Sequence, residues 1–479
     1  MGVGVGGSMA WLAIGWGLRA IAAGASILVL ASAPLSADTL PWALAQAYQT
    51  NPQLNAQRTA VRVTDENVPQ ALSGYRPRIS LSASIAEQYL DSLTKSTTGG
   101  VTTYTATSGS TAVQSYGGTI TQNLLNGYQT ASRTRQAEHL VTAARETLRL
   151  SEQIVLLSAA TAYMNLIRDA AILDLQRRNV EVLQEQLRQT RDRFNVGEVT
   201  RTDVAQAESR LAAGRSQMLA AESNYTTSRS NYRQVIGVEP GKLAPASPVD
   251  RFSPHALPQA IAEARARHPS VTTAMFNIDA ALMQVKIAEG SLYPTLNVVG
   301  SAQKNFGSQQ SLTALESFSA SVAGQVSVPV YQGGSEYATI RQSKETLNQR
   351  RIDLDTARDQ ARQTLVQSWG QLEAAKAQIQ ATQAQVTASE IALNGVREEA
   401  RVGQRTTLDV LNAQQELVNA RVALVTAQRD RVVASYTLLA AVGRLSARVL
   451  GLHVLVYDPV VHYHQVRDSW VGVRVPDGK

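Results

Sequence analysis

The 479-residue sequence contains no cysteine. That absence removes disulfide frameworks, cysteine zinc sites and thiol catalysis, and it also removes the acylated cysteine of a lipoprotein anchor. Aromatic residues make up only 5% of the chain, fewer than a large globular core would use. The net charge of +7 is not concentrated in any block, since Arg and Lys are dispersed among Glu, Asp and Gln. A nucleic-acid footprint is therefore not expected. Long apolar runs are also scarce. One spans residues 20–33, contains Ile27, Leu28, Val29 and Leu30, follows Arg19 and is followed by Leu35-Ser36-Ala37. A positive residue, a short apolar stretch and a small-residue exit form a secretory signal, with cleavage after Ala37 and with Met1 or Met9 as the start. The run falls short of the ~20 residues a helical span needs. With no other stretch long and apolar enough, a membrane location would require a β-barrel, which hydropathy does not reveal.

What the chain does contain is an internal duplication. Leu40-Pro41 recurs as Leu257-Pro258, Pro52 as Pro269 and Pro77 as Pro294, each 217 positions on. Further along, Arg135-Gln136 matches Arg341-Gln342, Gly197 matches Gly403, Asp203 matches Asp409 and Gly237 matches Gly443, each 206 positions on. The first copy thus holds eleven extra residues, placed in the Ser-, Thr- and Gly-rich stretch 91–111. The expected organisation is a signal peptide (1–37), a first repeat (38–250, hairpin about 78–126), a second repeat (251–445, hairpin about 295–330) and a C-terminal tail (446–479).

Each copy carries long heptad helices. Leu166, Leu173, Val180, Leu187 and Phe194 recur every seven residues, as do Leu365, Leu372, Ile379, Val386 and Leu393. The spacing resumes after Gly197 at Val204, Leu211, Met218, Tyr225 and Tyr232, and after Gly403 at Val410, Leu417 and Leu424. This is coiled-coil packing. Runs of residues 130–193 and 336–399 would extend ~90 Å at 1.5 Å per residue. Ala, Gln, Arg and Glu fill the other positions, so each helix has a narrow seam and needs neighbours on more than one side. A ring of helices around a water-filled tunnel supplies them.

Between the helices the period changes to two. Ile79, Leu81, Ala83 and Ile85 alternate with Ser80, Ser82 and Ser84, and Phe318, Ala320, Val322, Gly324, Val326 and Val328 alternate with small or polar residues. Leu296 to Ala302 alternates over a shorter stretch, and residues 116–124 are the least regular. Each copy therefore contributes two strands, each near the ~10 residues that cross a bilayer obliquely, with apolar groups toward lipid and Ser, Thr and Gln toward a lumen. Four strands cannot close a barrel, since the smallest use about eight, and open edges in lipid leave backbone groups unpaired. Subunits must share one barrel. A dimer or a trimer satisfies the count.

The turns between helices carry a local code. Gly197 and Gly403 suit left-handed helix stops, and Thr200 with Asp203, like Thr406 with Asp409, has capping-box spacing. Gly127 and Gly333-Gly334 follow strands without the lysine of a phosphate loop, and read as strand-to-helix turns. His462 and His464 lack a surrounding Asp or Cys cluster, so the expectation is a solvated structural tail and no metal site. No nucleophile-base constellation or catalytic carboxylate pair stands out. Neither enzymatic activity nor a cofactor is expected.

The duplicated halves, the paired hairpins, the VG-x-x-T-x-x-D turns and the tail Tyr457-Asp458-Pro459 to Arg467-Asp468-Ser469-Trp470 resemble the TolC family over nearly the whole mature chain. The tail and the missing lipoprotein cysteine are most similar to the outer-membrane components of type I protein secretion systems. The resemblance implies an α+β membrane protein of a Gram-negative outer membrane. It implies a homotrimer in which a long coiled-coil α-helical tunnel in the periplasm carries a shared β-barrel of four transmembrane strands per protomer. It also implies a periplasmic adaptor (membrane fusion) protein and an inner-membrane ABC or proton-driven transporter as partners, with docking at the tip turns Gly197, Thr200, Gly403 and Thr406. The family's closed periplasmic entrance is held by links that fall on Gln186, Asp203 and Arg405. Its entrance tyrosine aligns with Ala400, so one link is missing. Its two-tier acidic constriction ring aligns with Asp409 and Asn412, leaving one carboxylate per subunit and predicting weaker cation preference.

Two other readings compete. Multidrug or metal efflux uses the same architecture. A secreted structural coiled-coil protein would explain the helices but not the four symmetrically placed strands.

Overall fold

The computed structural model describes residues 38–307 and 316–476. The expected signal segment lies outside the described residues. Three short helices open the fold, α1 (Leu40–Thr50), α2 (Pro52–Asp65) and α3 (Asn67–Leu72), and lead into strands β1 (Arg78–Thr98) and β2 (Val101–Asn126). Two long helices follow, α4 (Gln129–Asn195) and α5 (Arg201–Ile236). The pattern then repeats as α6 (Leu257–Arg267), α7 (Pro269–Gly290), β3 (Thr295–Phe306), β4 (Glu316–Ser327), α8 (Ser335–Arg401) and α9 (Thr407–Val442), before a final helix α10 (Pro459–Val466). The duplication is carried into helix length, since α4 and α8 each have 67 residues and α5 and α9 each have 36. At 1.5 Å per residue the longer pair reaches ~100 Å.

Local chemistry sets the joints. Asn51 accepts the Gln53 and Leu54 amides, which caps α2, and its side-chain amide donates to the Val235 carbonyl at 3.0 Å, which ties that cap to the end of α5. His268 holds the corresponding place in the second copy and caps α7 through Nδ1. The expected strand-to-helix turns also form. Gly127 has φ +61° between β2 and α4, and an added Cβ would lie 2.2 Å from the Gly290 carbonyl oxygen. Only glycine fits that backbone conformation and that approach.

The largest core lies midway along α4, where α1 and α2 pack against it together with α5 and α9. Leu44, Leu156, Tyr163, Tyr232, Leu439 and Leu445 are all buried there, and each such aliphatic side chain contributes on the order of 1.5–3 kcal/mol. Toward the far end the core narrows to heptad seams. Val180, Leu183 and Leu187 meet Ala207, Leu211 and Leu411, and Val386 and Leu393 meet Leu417 and Ala420. In α4 and α8 the expected seven-residue series is buried except at half-buried Ile379 and at Phe194, which is 42% exposed at the tip, whereas in α5 and α9 Val204, Met218, Tyr225 and Leu424 are only half-buried. Among the described residues α4 alone contains an 18-residue window apolar enough for a span, and half of that window is buried in this core.

The four strands form one antiparallel meander in the order β1-β2-β3-β4. A bulge between Asn123 and Leu125 falls in the segment whose alternation is least regular. The first hairpin spans the expected 78–126, but its strands exceed the ~10 residues expected: they have 21 and 26 residues, against 12 and 12 in the second, and the stretch 91–111 is paired strand on both sides of its turn. The reason is the turn: Gly99 and Gly100 have φ of +61° and +81°, as a two-residue hairpin turn of the primed type demands. Pairing therefore zips to Thr98↔Val101. Since β2–β3 pairing ends at Gln114↔Phe306, among the described residues the hairpin runs ~40 Å further without a third strand, at about 3.3 Å per residue.

The C-terminal tail also differs from expectation. Residues Pro459–Val466 are helical, and His462 is 1% exposed with Nδ1 2.9 Å from buried Asp65 Oδ2 on α2. It is a core residue and not a solvated one; His464 is the exposed member of the pair.

Candidate functional site

The sheet has two chemically distinct faces. On one, Ile79, Leu81, Ile120, Val298, Val322 and Phe318 share register positions, and Leu81 and Val322 are 87% and 82% exposed. On the other, hydroxyls bond across strands, Ser80 with Thr119 at 2.6 Å and Ser301 with Ser321 at 2.9 Å. Tyr116 meets Phe306 edge-on at 6.2 Å near the outer end. Exposed Tyr75, Tyr128, Tyr293 and Tyr331 sit where the strands join helices. Two aromatic levels flanking an apolar band are the dress of a membrane barrel wall. Among the described residues, strands β1 and β4 each keep one edge without a partner within the protomer, an arrangement that lipid does not tolerate unpaired.

At the opposite end, the two tip turns are near copies. Gly197 and Gly403 adopt φ +78° and +79°, and the Glu198 and Gln404 amides bond back to the Arg193 and Glu399 carbonyls at 2.9 Å each. Thr200 and Asp203 form the expected capping box: the Thr200 amide and hydroxyl both donate to Asp203 Oδ2, at 2.8 and 2.7 Å. Thr406 and Asp409 repeat it at 3.0 and 2.9 Å. The Thr200 hydroxyl and then its amide hold the Asp203 carboxyl below the usual range. For Asp409 the Thr406 amide is the larger cause, followed by the hydroxyl.

Within one protomer the residues expected to link the entrance, Gln186, Asp203 and Arg405, are not joined to one another. Arg405 donates from Nε to Glu399 Oε2 at 2.8 Å, which holds its guanidinium above the ordinary value, and Arg193 pairs with Glu198 at 3.0 Å. Among the described residues, no hydrogen bond or ion pair connects Arg405 with Asp203, and half-buried Gln186 serves locally, its carbonyl accepting from Thr190. At the second of the two positions expected to form a constriction, Asn412 Oδ1 accepts from Arg210 Nη2 at 2.6 Å. Arg210 was not singled out by the sequence patterns. Its signal is its place seven residues after Asp203, on the same helix face.

A sheet with one lipid-compatible face and two open edges, continuous with heptad helices far too long for a globular core, defines an outer-membrane channel subunit. The chain belongs to the outer membrane efflux protein family, whose family pattern matches residues 43–238 and 260–444, one segment in each repeat. It is an outer-membrane TolC-family channel with its helical part in the periplasm. A structural coiled-coil protein without a membrane sheet is thereby excluded. The chain is 42% identical over 451 residues to outer membrane efflux protein BepC of Brucella suis biovar 1, covering 94% of this chain and 95% of that one. It is 27% identical over 328 residues to outer membrane protein TolC of Escherichia coli K12, covering 66% of each. It is 25% identical over 322 residues to alkaline protease secretion protein AprF of Pseudomonas aeruginosa, covering 65% and 66%. Its fold matches a solved structure of CusC with a TM-score of 0.71 at 16% identity, over 85% of this chain and 92% of that one.

Proposed function

We propose that this chain is the outer-membrane duct of an export machine, most directly a type I protein secretion system, through which substrates leave an inner-membrane transporter and reach the exterior in one passage. The observation that carries the duct is the four-stranded sheet, apolar on one face, hydroxyl-lined on the other and open at both edges. Three subunits close those edges into one barrel of twelve strands, four from each. Their six long helix pairs, two from each subunit, continue the bore through the periplasm.

The tip turns at Gly197, Thr200, Gly403 and Thr406 meet a periplasmic adaptor, behind which stands an ABC or proton-driven transporter. In the closed trimer, links that Gln186, Asp203 and Arg405 make to neighbouring helices hold the entrance. Docking releases them, and Arg405 has a waiting partner in Glu399. Asp409 supplies one carboxylate per subunit to the constriction.

The secretion reading is supported by the tail, the missing lipoprotein cysteine and the similarity to AprF. Small-molecule efflux is the second reading, favoured by the higher identity to BepC, an efflux protein by name. Mass spectrometry of culture medium from a strain lacking this protein, its parent and a complemented strain separates them. Loss of one or a few large proteins supports secretion. An unchanged medium with raised drug sensitivity supports efflux.

A further inference from the structure

Roughly 24 Å down α4 from the sheet, at 1.5 Å per residue, the two repeats enclose a cavity of about 570 Å³. Its walls come from α1, α2, α4, α6 and the chain following α9, so neither repeat forms it alone. The charge inside is unbalanced: six arginines and three glutamates line it, a surplus of three positive charges.

The carboxylates are already engaged. Glu146 takes Arg149 at 2.6 Å, Glu263 takes Arg444 at 2.5 Å, and Glu152 accepts the Ala447 amide at 2.7 Å. Burial pushes the Glu152 carboxyl up, which reduces what it contributes against the arginines. Three guanidinium groups, those of Arg58, Arg267 and Arg448, have no carboxylate partner among the described residues, and Arg145 has only a long ion pair. Arg58 spends its hydrogen bonds on the Tyr48 carbonyl and Asn55, at 2.9 and 2.8 Å. Arg145 is 3.9 Å from Asp65, and its Nε and Nη2 are buried without a hydrogen-bond acceptor. Arg267 and Arg448 stand exposed at the mouth. The Tyr457 hydroxyl is a further buried donor with no partner. Unspent buried donors of this kind are uncommon in folded proteins.

We infer that this cavity is a binding site for a multivalent oxyanion, held by forked guanidinium contacts. Its volume suits a group of several charged oxygens rather than a single small ion. The chemistry is shared by phosphates and by the free carboxylates of acidic peptides such as those of the cell wall. The site stands on the geometry of one protomer and does not depend on which cargo the duct carries.

Calorimetric titration of the purified full-length protein in detergent, with inorganic phosphate, citrate, a soluble muropeptide and maltose, tests this. Saturable binding of an oxyanion, none of maltose, and weakening of about tenfold or more in Arg267→Ala/Arg448→Ala are expected. Both positions are exposed, and unchanged helicity of the variant confirms its fold. A preference for phosphate or for the muropeptide identifies the source within the same site. No binding of any oxyanion at millimolar concentration, or binding unaltered in the folded double variant, overturns the inference.

Discussion

Arg210 on α5 donates from Nη2 to Oδ1 of Asn412 on α9 at 2.6 Å. The contact crosses from one repeat to the other and places a cation beside the position where a second acidic tier is expected. The duct reading treats Asp409 and Asn412 as the constriction, so this arginine decides what an added carboxylate can do. Asn412→Asp alone is expected to raise cation selectivity only modestly, because Arg210 would neutralise the new charge. Asn412→Asp with Arg210→Gln is expected to raise it severalfold. Reversal potentials in planar bilayers measure both; no change in the double variant would sink the assignment of these positions to the constriction.

The capping boxes make a local prediction about the tips. Thr200→Ala and Thr406→Ala each remove a cap worth about 1 kcal/mol, and trypsin at neutral pH should then cut faster after Arg201 and Arg405 while the overall melting temperature stays near its original value. Both aspartates have folded pKa values lowered by these hydrogen bonds. Their stabilisation is present above about pH 4 and is lost as pH falls through the lowered folded values. Circular dichroism and limited proteolysis with an acid-active protease should therefore show tips that are unaffected between pH 5 and 8 and loosen only in strong acid.

Gly127 and Gly333 occupy strand-to-helix turns with φ +61° and +72°, but they differ in surroundings. A Cβ at Gly127 collides with the Gly290 carbonyl, whereas nothing lies within 4 Å at Gly333. Gly333→Ala is expected to cost only the left-handed backbone penalty of about 1–2 kcal/mol. Gly127→Ala must also displace backbone and should lower the dissociation temperature of the assembly on gels much further. Equal effects would contradict the packing argument.

The His462–Asp65 contact fastens α10 to α2 in a site closed to water. Burial pushes the Asp65 carboxyl up, while His462 and Arg145 pull it down. Removing the imidazole leaves a buried carboxyl short of a partner, so His462→Ala should destabilise by about 1–3 kcal/mol and expose Arg467 to trypsin. His464→Ala, on the exposed side of the same helix, should do neither.

Much of this architecture was legible because its periods are simple. Leu166, Leu173 and Val180 recur at the interval that keeps one seam in contact, and Ile79 to Ile85 alternates because one sheet face is apolar. Constant offsets between Pro52 and Pro269 and between Asp203 and Asp409 exposed the duplication. The length of the first hairpin's strands was not legible because both faces of its outer part are rich in Ser and Thr, so no apolar alternation marks it as strand. The seating of His462 could not be read from its neighbours, since its partner lies 397 residues away in sequence. Arg210 was hidden for a similar reason, its acceptor standing 202 residues on.

The central claim is that the free edges of β1 and β4 close against neighbouring subunits. The natural lack of cysteine makes it directly testable. Cysteine pairs placed one on β1 (Ser80, Ser82 or Ser84) and one on β4 (Ser317, Ser319 or Ser321) can be oxidised in intact outer membranes and resolved on denaturing gels. The account predicts that at least one pair yields a covalent ladder ending at three subunits. A ladder ending at two, or no cross-link from any pair in a protein that reaches the outer membrane, would contradict it.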